Sequence, residues 1–281
     1  IGTDNRFTPL WSASFRWNAM RENFLKDVNF ISDLAIRLSY GYTGNIDRSS
    51  YPIPMIFLSG YRYDENFVAE SVTFPNPNIK WERKQDRNFG LDFGFWDNRI
   101  GGSFNYYWNT GKDLLGTMTT PESYGRTSIK ANVSSIENTG WEFNVNLRLD
   151  LGANVRWINS FNIAQNTNKI KKTYLKDLNE LNVMGGSDNI EGYASGSMFG
   201  YRFAGVNPLT GQAMIYLTDE SRKILADYRG VDISQVADKI DTEEIDYNIR
   251  EELLRASMEK LGSVTPKVTG GFSSTLTWKK L

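Results

Sequence analysis

The sequence predicts an all-β fold in which long antiparallel strands form part of a transmembrane β-barrel. Three observations support this fold class: apolar and polar residues alternate over long segments, tight turns alternate with long connections, and aromatic residues gather near the segment ends. The alternating segments run for about nine to eleven residues, the length that a tilted strand needs to cross a bilayer. The chain of 281 residues contains 8 Trp and 14 Tyr, which suits interfacial aromatic belts.

Seven segments show the alternation, each with an apolar or aromatic face and an opposite face rich in Gly, Ser and Asn. A soluble β-sandwich also alternates, but its strands usually have only about five or six residues. Ile158 and Asn159 break the pattern within the sixth segment. In chain order, the apolar faces comprise Trp11, Ala13, Phe15 and Trp17; Leu34, Ile36, Leu38, Tyr40 and Tyr42; Phe89, Leu91, Phe93 and Phe95; Ile100, Phe104, Tyr106 and Trp108; Trp141, Phe143, Val145, Leu147 and Leu149; Val155, Trp157, Phe161 and Ile163; and Phe272, Leu276 and Trp278.

The connections between the segments alternate in length. Two tight turns, at 95–100 and 149–155, are built from Asp, Asn and Gly. Three long links leave the segments at the opposite end, at about Thr43–Lys84, Thr110–Thr139 and Asn166–Lys267. Short turns on one side and long loops on the other are typical of outer-membrane barrels, whose long loops are extracellular.

Two regions outside the strands are predicted to contain short helices. The compact connection Asn18–Asp33 reads as partly helical over 19–26. Asp219–Lys260 is an acidic amphipathic stretch, for which we expect one or two surface helices with a solvated charged face. The residues that share its apolar helical face are Ile249, Leu253 and Leu254.

The composition removes several classes of function. The chain has no Cys and no His, which excludes thiolate and histidine metal sites and Ser-His-Asp chemistry, so we expect no metal and no other cofactor. Its 32 basic and 33 acidic side chains give no electrostatic reason to expect nucleic acid as a partner. The carboxylate pairs Asp219/Glu220 and Glu243/Glu244 lie in the predicted surface helices without a pocket signal. We therefore expect no catalytic residues and no enzyme.

Seven strands cannot complete a bacterial barrel by themselves. Unpaired backbone groups are not tolerated in hydrocarbon, so the sheet must close, and bacterial single-chain barrels have even strand counts. The first residues, Ile1–Asp4, also lack the pattern of a targeting signal. We expect further strands before Ile1, after Leu281, or both.

Several motifs, in this order and over nearly the whole chain, make the sequence resemble the SusC/RagA group of TonB-dependent outer-membrane transporters of Bacteroidota. No single motif is decisive, and their order and spacing carry the resemblance. The motifs are Arg37-Leu-Ser-Tyr-Gly-Tyr-Thr-Gly-Asn45; Asn76-Pro-Asn-Ile-Lys-Trp-Glu82; Asn88-Phe-Gly-Leu-Asp-Phe-Gly94; Asp97-Asn-Arg-Ile100; Asn105-Tyr-Tyr107; Lys112-Asp-Leu-Leu115; Ile136-Glu-Asn-Thr-Gly-Trp-Glu142; Gly200-Tyr-Arg-Phe-Ala-Gly-Val-Asn-Pro208; Thr210-Gly211; and Pro266 with Gly270-Gly271.

The resemblance implies a 22-stranded barrel with an N-terminal plug, of which residues 1–281 would be part of the barrel domain, with the plug and the TonB box elsewhere. It also implies import of a bulky nutrient, an oligosaccharide or a peptide, across the outer membrane. Energy would come through TonB, and a SusD-like surface lipoprotein would cover the outer loops. Two other functions stay open: a passive outer-membrane porin, and a secreted carbohydrate-binding β-sandwich protein.

The aromatic residues divide into two groups by position. Those near strand ends are expected to anchor the barrel at the lipid headgroups: Trp11, Trp17, Trp96, Trp108, Trp157 and Trp278. Those in the long loops are candidates for contact with a substrate or a lid protein, with packing inside the loop as the alternative role: Tyr61, Tyr63, Tyr124, Tyr193, Phe199 and Tyr201. The Asn-Pro pairs at 76–77 and 207–208 are interpreted as loop-forming residues.

Overall fold

A computed structural model describes residues 5, 7–25, 27–46, 55–59, 68–73, 76–124, 127–152, 154–174, 189–236, 242–244 and 251–278. The chain divides into two compact units, which we describe separately. Unit 1 comprises Ile1–Tyr174 and Pro266–Leu281, and unit 2 comprises Leu175–Thr265.

Unit 1 is dominated by one antiparallel sheet of seven strands, in the order β1-β2-β5-β6-β7-β8-β14. A separate hairpin of β3 and β4 lies within the connection between β2 and β5. The strands are β1 Ser12–Asn18, β2 Ile31–Asn45, β3 Met55–Ser59, β4 Val68–Thr73, β5 Glu82–Phe95, β6 Ile100–Thr119, β7 Ser128–Asp150, β8 Val155–Lys172 and β14 Val268–Trp278.

The seven predicted segments are the seven strands of this sheet, which confirms the all-β assignment. The alternation survives in the pairing register, because Phe15 is opposite Leu38, Leu38 is opposite Phe89, and Phe89 is opposite Tyr106. The register also explains the exception in the sixth segment. Asn159 is opposite Ser274 and therefore shares the face of Trp157, so the pleat itself is uninterrupted there.

Both tight turns lie where the sequence predicts them. Between β5 and β6, Trp96, Asp97 and Asn98 have φ values of 51, 56 and 58°. This left-handed conformation is one that Asn and Asp tolerate better than most residues. The Asn98 N–H donates to Ser32 Oγ at 3.1 Å, which ties the turn to β2. Between β7 and β8, the Leu151 N–H donates to the Val155 carbonyl at 2.8 Å.

The predicted limits of the long links are wrong, because most of the strands are longer than expected. β6 has 20 residues and β7 has 23, so the link placed at Thr110–Thr139 is mostly paired strand. Likewise, β8 continues to Lys172 before the third link begins. The physical reason is that backbone pairing continues through Thr, Ser and Asn after the apolar face has ended, where alternation no longer marks a strand.

The compact connection after β1 contains less helix than predicted. Its described residues contain one 3-10 turn, at Ala19–Arg21, which begins where the Asn18 side chain accepts a hydrogen bond from Met20 N at 3.2 Å. Turns fill most of the remaining described residues up to β2.

Unit 2 is a small α+β assembly with a core of its own. Leu217, Leu225, Ala226 and Leu253 form a buried cluster. The Thr218 side chain caps α1 by accepting from Ser221 N at 3.2 Å. The strands are β9 Ser197–Gly200, β10 Phe203–Val206, β11 Ala213–Tyr216, β12 Thr242–Glu244 and β13 Glu259–Ser263, and the helices are α1 Asp219–Arg229, α2 Ile233–Val236 and α3 Glu251–Ser257.

The acidic stretch of unit 2 contains more elements than the one or two helices predicted. Its described residues contain three short helices together with β12 and the start of β13. Leu253 of the predicted apolar helical face is buried, whereas Ile249 lies outside the described residues. No helix among the described residues is long and apolar enough to span a membrane.

Candidate functional site

The sheet of unit 1 has an apolar face that the described residues of this unit leave uncovered. Phe15 and Leu38 are opposite each other on this face, and they are 59% and 47% exposed. A continuous apolar face of this kind is typical of a surface that contacts lipid or another protein. We refer to it as the apolar face, and to the opposite side of the sheet as the polar face.

Aromatic residues bound the apolar face at both ends. At the end of the sheet where the short turns occur lie Trp17, Trp157 and Trp278. At the same end, Trp96 is part of the turn between β5 and β6. At the long-loop end, the Tyr40 and Tyr42 hydroxyls lie 2.8 Å apart and the rings of Trp11 and Tyr40 are 5.4 Å apart. From Ile100 to Trp108, β6 advances roughly 27 Å along the strand, which at a tilt of about 40° corresponds to about 20 Å of an apolar band that is about 25 Å tall.

The polar face carries a charged network that crosses four strands. Arg37 on β2 donates to both carboxylate oxygens of Asp92 on β5, at 2.8 and 3.0 Å, and to Asn105 Oδ1 on β6 at 3.0 Å. Arg16 on β1 lies 3.4 Å from the same carboxylate. Gly90 is opposite both Arg37 and Asn105 in the register, and a Cβ there would lie 3.0 Å from the Arg37 guanidinium carbon. The glycine therefore leaves the space in which the guanidinium lies.

A second cross-strand contact on the polar face also depends on a glycine. The Tyr107 hydroxyl on β6 passes over Gly140 on β7 and donates to Asn166 Oδ1 on β8 at 3.0 Å. A Cβ at Gly140 would overlap both the Tyr107 ring and the Gln165 carbonyl oxygen. The polar face is thus organised by side chains that reach across neighbouring strands.

Beyond the apolar band, the motif that begins at Asn76 is attached to the extended hairpin of β6 and β7. The Asn132 side chain accepts from Lys80 N at 2.7 Å and donates to the Lys80 carbonyl at 2.9 Å. Glu82 accepts from Leu115 N at 2.8 Å and from the Asn45 side chain at 2.8 Å. These bonds give the motif a structural role at the long-loop end.

Both Asn-Pro pairs occur in turns. Asn76 accepts from Asn78 N at 3.0 Å, and Asn207 accepts from Leu209 N at 2.9 Å, so each side chain closes a turn two residues on. The second turn joins β10 to β11, where the Asn207 N–H also donates to the Gln212 carbonyl at 2.8 Å.

Unit 2 brings two of the predicted loop aromatics together. The rings of Tyr193 and Phe199 meet edge to face with centroids 4.9 Å apart, and Lys260 Nζ lies 5.6 Å from the Tyr193 centroid. Phe199 is buried, whereas Tyr193 remains 40% exposed. Tyr201 follows β9 and is half-buried. The buried Phe199 therefore packs against Tyr193, and part of the Tyr193 side chain remains exposed.

The other three predicted loop aromatics are less informative. Tyr124 belongs to a short 3-10 turn at Glu122–Tyr124. Tyr61 and Tyr63 lie outside the residues that the structure describes. The six candidates therefore do not form one described cluster.

Three acidic residues of unit 2 have structural roles: Asp219, Glu220 and Asp232. Asp219 and Glu220 occupy the first turn of α1, where acidic side chains favour the helix N-terminus. Asp232 accepts from the Ser234 N–H at 2.8 Å, and hydrogen bonds from the Ser234 hydroxyl and backbone hold the pKa of Asp232 below its usual range. Within the described ranges, no group of three or more metal-ligating side chains comes together.

Sequence reasoning missed the two features that organise unit 1 beyond its strands. It did not pair Arg37 with Asp92, because the register that places Gly90 opposite Arg37 is set by pairing between distant strands. It also missed that Arg83 and Lys112, which lie opposite each other, share the face of Trp108, because alternation marks a face only where apolar and polar residues separate.

Comparisons with known proteins agree with this architecture. The family model described as TonB dependent receptor-like, beta-barrel matches residues 2–238. TonB-dependent receptor P3 of Formosa agariphila is 32% identical over 98% of this chain and 27% of its own length. TonB-dependent receptor SusC of Bacteroides thetaiotaomicron is 35% identical over 60% of this chain and 18% of its own length.

Solved structures show the same arrangement of strands. The RagAB peptide importer in its closed-closed state has a TM-score of 0.78 and 26% identity, over 99% of this chain and 28% of that chain. This chain thus spans about a quarter of the length of the relatives that it matches over nearly all of its own residues.

Proposed function

This chain belongs to the TonB-dependent receptor-like β-barrel family of the bacterial outer membrane, and from that premise we propose that its protein imports a bulky nutrient using energy relayed by TonB. The family consists of transporters and receptors rather than enzymes, so no catalytic role is proposed. An outer-membrane location also removes the secreted β-sandwich alternative.

The observation that supports import most directly is the contrast between the two faces of the sheet. The apolar face suits lipid, whereas the polar face carries an ordered network around Arg37, Asp92 and Asn105. A water-filled pore needs charged side chains that face water, but it does not need hydrogen bonds and ion pairs that join those side chains across four strands. Such a network suits a lumen wall against which a plug domain is seated.

We further propose that a SusD-like lipoprotein covers the outer loops and that the substrate is an oligosaccharide or a peptide. SusC and RagAB are the relatives that support this partnership, and RagAB is described as a peptide importer. Tyr193 is the residue of this chain that we assign to substrate or lid contact. Its exposed ring, next to Lys260, offers a stacking surface and a hydrogen-bonding hydroxyl.

The test uses the complete protein with and without a functional TonB. Cells that express it are given labelled peptides and labelled oligosaccharides, and uptake is measured. We expect uptake of one class that disappears when TonB is absent. Uptake that persists without TonB, together with a steady open-pore current in planar bilayers, would instead identify a passive porin.

A further inference from the structure

Cationic side chains continue the apolar face immediately beyond Trp108. The strand register places Arg83 opposite Lys112 and Lys169 opposite Glu137. These four residues lie on the side of the sheet that carries Trp108. The Arg87 guanidinium lies over the Trp108 ring, 4.5 Å from its centroid. We call this set the cationic row; its members are Arg83, Arg87, Lys112, Lys169 and Lys171.

The cationic row is only partly neutralised. Arg83 Nη2 lies 2.8 Å from Asp113, and Lys171 Nζ lies 2.9 Å from Glu137. Among the residues that the structure describes, Lys112 and Lys169 have no carboxylate at ion-pair distance, and both side chains are exposed. Counted over the described part of the chain, five cations against two carboxylates leave three positive charges on this strip of the apolar side.

An apolar groove lies directly below the cationic row. It has a volume of about 490 Å³ and is open along the apolar face. Ala13, opposite Tyr40, contributes a small side chain where its neighbours are large. The side chains that form its walls are Phe15, Leu38, Tyr40, Phe89, Tyr106 and Trp108, with Arg87 at the edge.

The level of this groove in the membrane follows from the connections. Short turns of outer-membrane barrels face the periplasm, so the long-loop end, where the cationic row lies, is at the outer leaflet. Trp108 and Tyr40 mark the headgroup level, and cations just beyond them meet lipid phosphates. The apolar groove extends from that level towards the centre of the bilayer.

We propose that the apolar groove and the cationic row together form a binding site for a phosphorylated lipid of the outer leaflet. An acyl chain occupies the groove, and its phosphate is bound by Arg87 and Lys112, with Lys169 at the neighbouring strand. The site lies on the side of the sheet away from Arg37 and Asp92, so it is distinct from the polar face. Two features favour a lipid over a protein here: the positive charge complements a phosphate, and the site is continuous with the aromatic belt. A protein partner would have to supply negative groups for the three unneutralised cations.

Native mass spectrometry of the complete protein tests this proposal. The protein, released from detergent, is mixed with bis-phosphorylated lipid A, with the same lipid after dephosphorylation, or with inorganic phosphate, and retained ligand is counted. We expect retention of the phosphorylated lipid alone. The K112Q/K169Q variant should bind it about tenfold or more weakly, since each cation near a charged membrane surface contributes on the order of 1 kcal/mol.

Lys84 provides a matched control. It lies next to Arg83 in β5 but on the polar face, where it pairs with Asp86 at 2.6 Å, so K84Q removes one charge at the same height. We expect K84Q to retain lipid like the wild type. Equal retention of phosphorylated and dephosphorylated lipid, displacement of the lipid by inorganic phosphate, or equal loss in K84Q would each overturn the proposal. A dimer that forms only when lipid is excluded would assign the surface to a second copy instead.

Discussion

Arg37 and Asp92 are joined by two hydrogen bonds of 2.8 and 3.0 Å across the polar face of the sheet, although they do not stand directly opposite each other in the register. The direct partner of Arg37 is Gly90, and the guanidinium crosses over it to reach the carboxylate two residues further along β5. A bidentate Arg–Asp contact, with Arg16 as a second cation 3.4 Å from the same carboxylate, gives the polar face a fixed local structure.

The first prediction concerns the coupling between these two residues. In a double-mutant cycle with R37Q and D92N, we expect a coupling free energy of about 1–2 kcal/mol, because the contact is bidentate and half-buried. Chemical unfolding of the complete protein in detergent measures it. The control pair is R156Q with D150N at the short-turn end, an exposed contact for which a smaller coupling free energy is expected because solvent screens it. Equal coupling in both cycles would contradict the ordered network.

The second prediction concerns the close approach of Tyr107 to Gly140. G140A should destabilise the barrel by about 1–3 kcal/mol, because the new methyl group meets a backbone carbonyl that cannot move without breaking the pairing of β7 with β8. Thermal unfolding measures the loss. G101A is the matched control, since the nearest atom to a Cβ there is the Phe93 carbonyl oxygen at 3.8 Å. A loss in G101A as large as in G140A would refute the steric explanation.

A third prediction separates the roles of the two paired loop aromatics. Y193A should lower nutrient uptake while leaving unit 2 folded, because the ring is 40% exposed. F199A should destabilise unit 2 by about 3 kcal/mol, because it removes a buried aromatic side chain. Hydrogen exchange measures the folding of unit 2, and labelled uptake measures transport.

Phe203 supplies the control for that comparison. It is 63% exposed in β10, so F203A removes an exposed ring from the same unit. We expect uptake by F203A to match the wild type. If Y193A and F203A transport equally well, Tyr193 has only a packing role.

The fourth prediction concerns the cap of α1. Besides accepting from Ser221 N, the Thr218 hydroxyl donates to the Ala256 carbonyl at 2.6 Å and so links the start of α1 to α3. T218V should cost about 1–2 kcal/mol of local stability, because both bonds are lost. Faster hydrogen exchange is expected across 219–229 but not in β5–β8. The exposed Lys223 offers the comparison K223A, for which exchange should stay unchanged.

Some features of this protein are determined by local sequence alone. Period-two alternation identified all seven strands of the main sheet, and the turn residues at 96–98 and near 150–154 identified the short connections, because pleat and turn chemistry act over a few residues. The same alternation identified the apolar face, since one side of every strand in the band must be apolar.

Other features were decided only by tertiary structure. β14 pairs with β8 although the residues of unit 2 separate the two strands along the chain. The extensions of β6 and β7 pair through polar residues that show no alternation. Arg37 reaches Asp92 because the pairing of β2, β5 and β6 places Gly90 opposite Arg37 and leaves space for the guanidinium. Backbone pairing between distant segments sets these relationships, and it depends on which groups meet across strands rather than on which residues are neighbours in the chain.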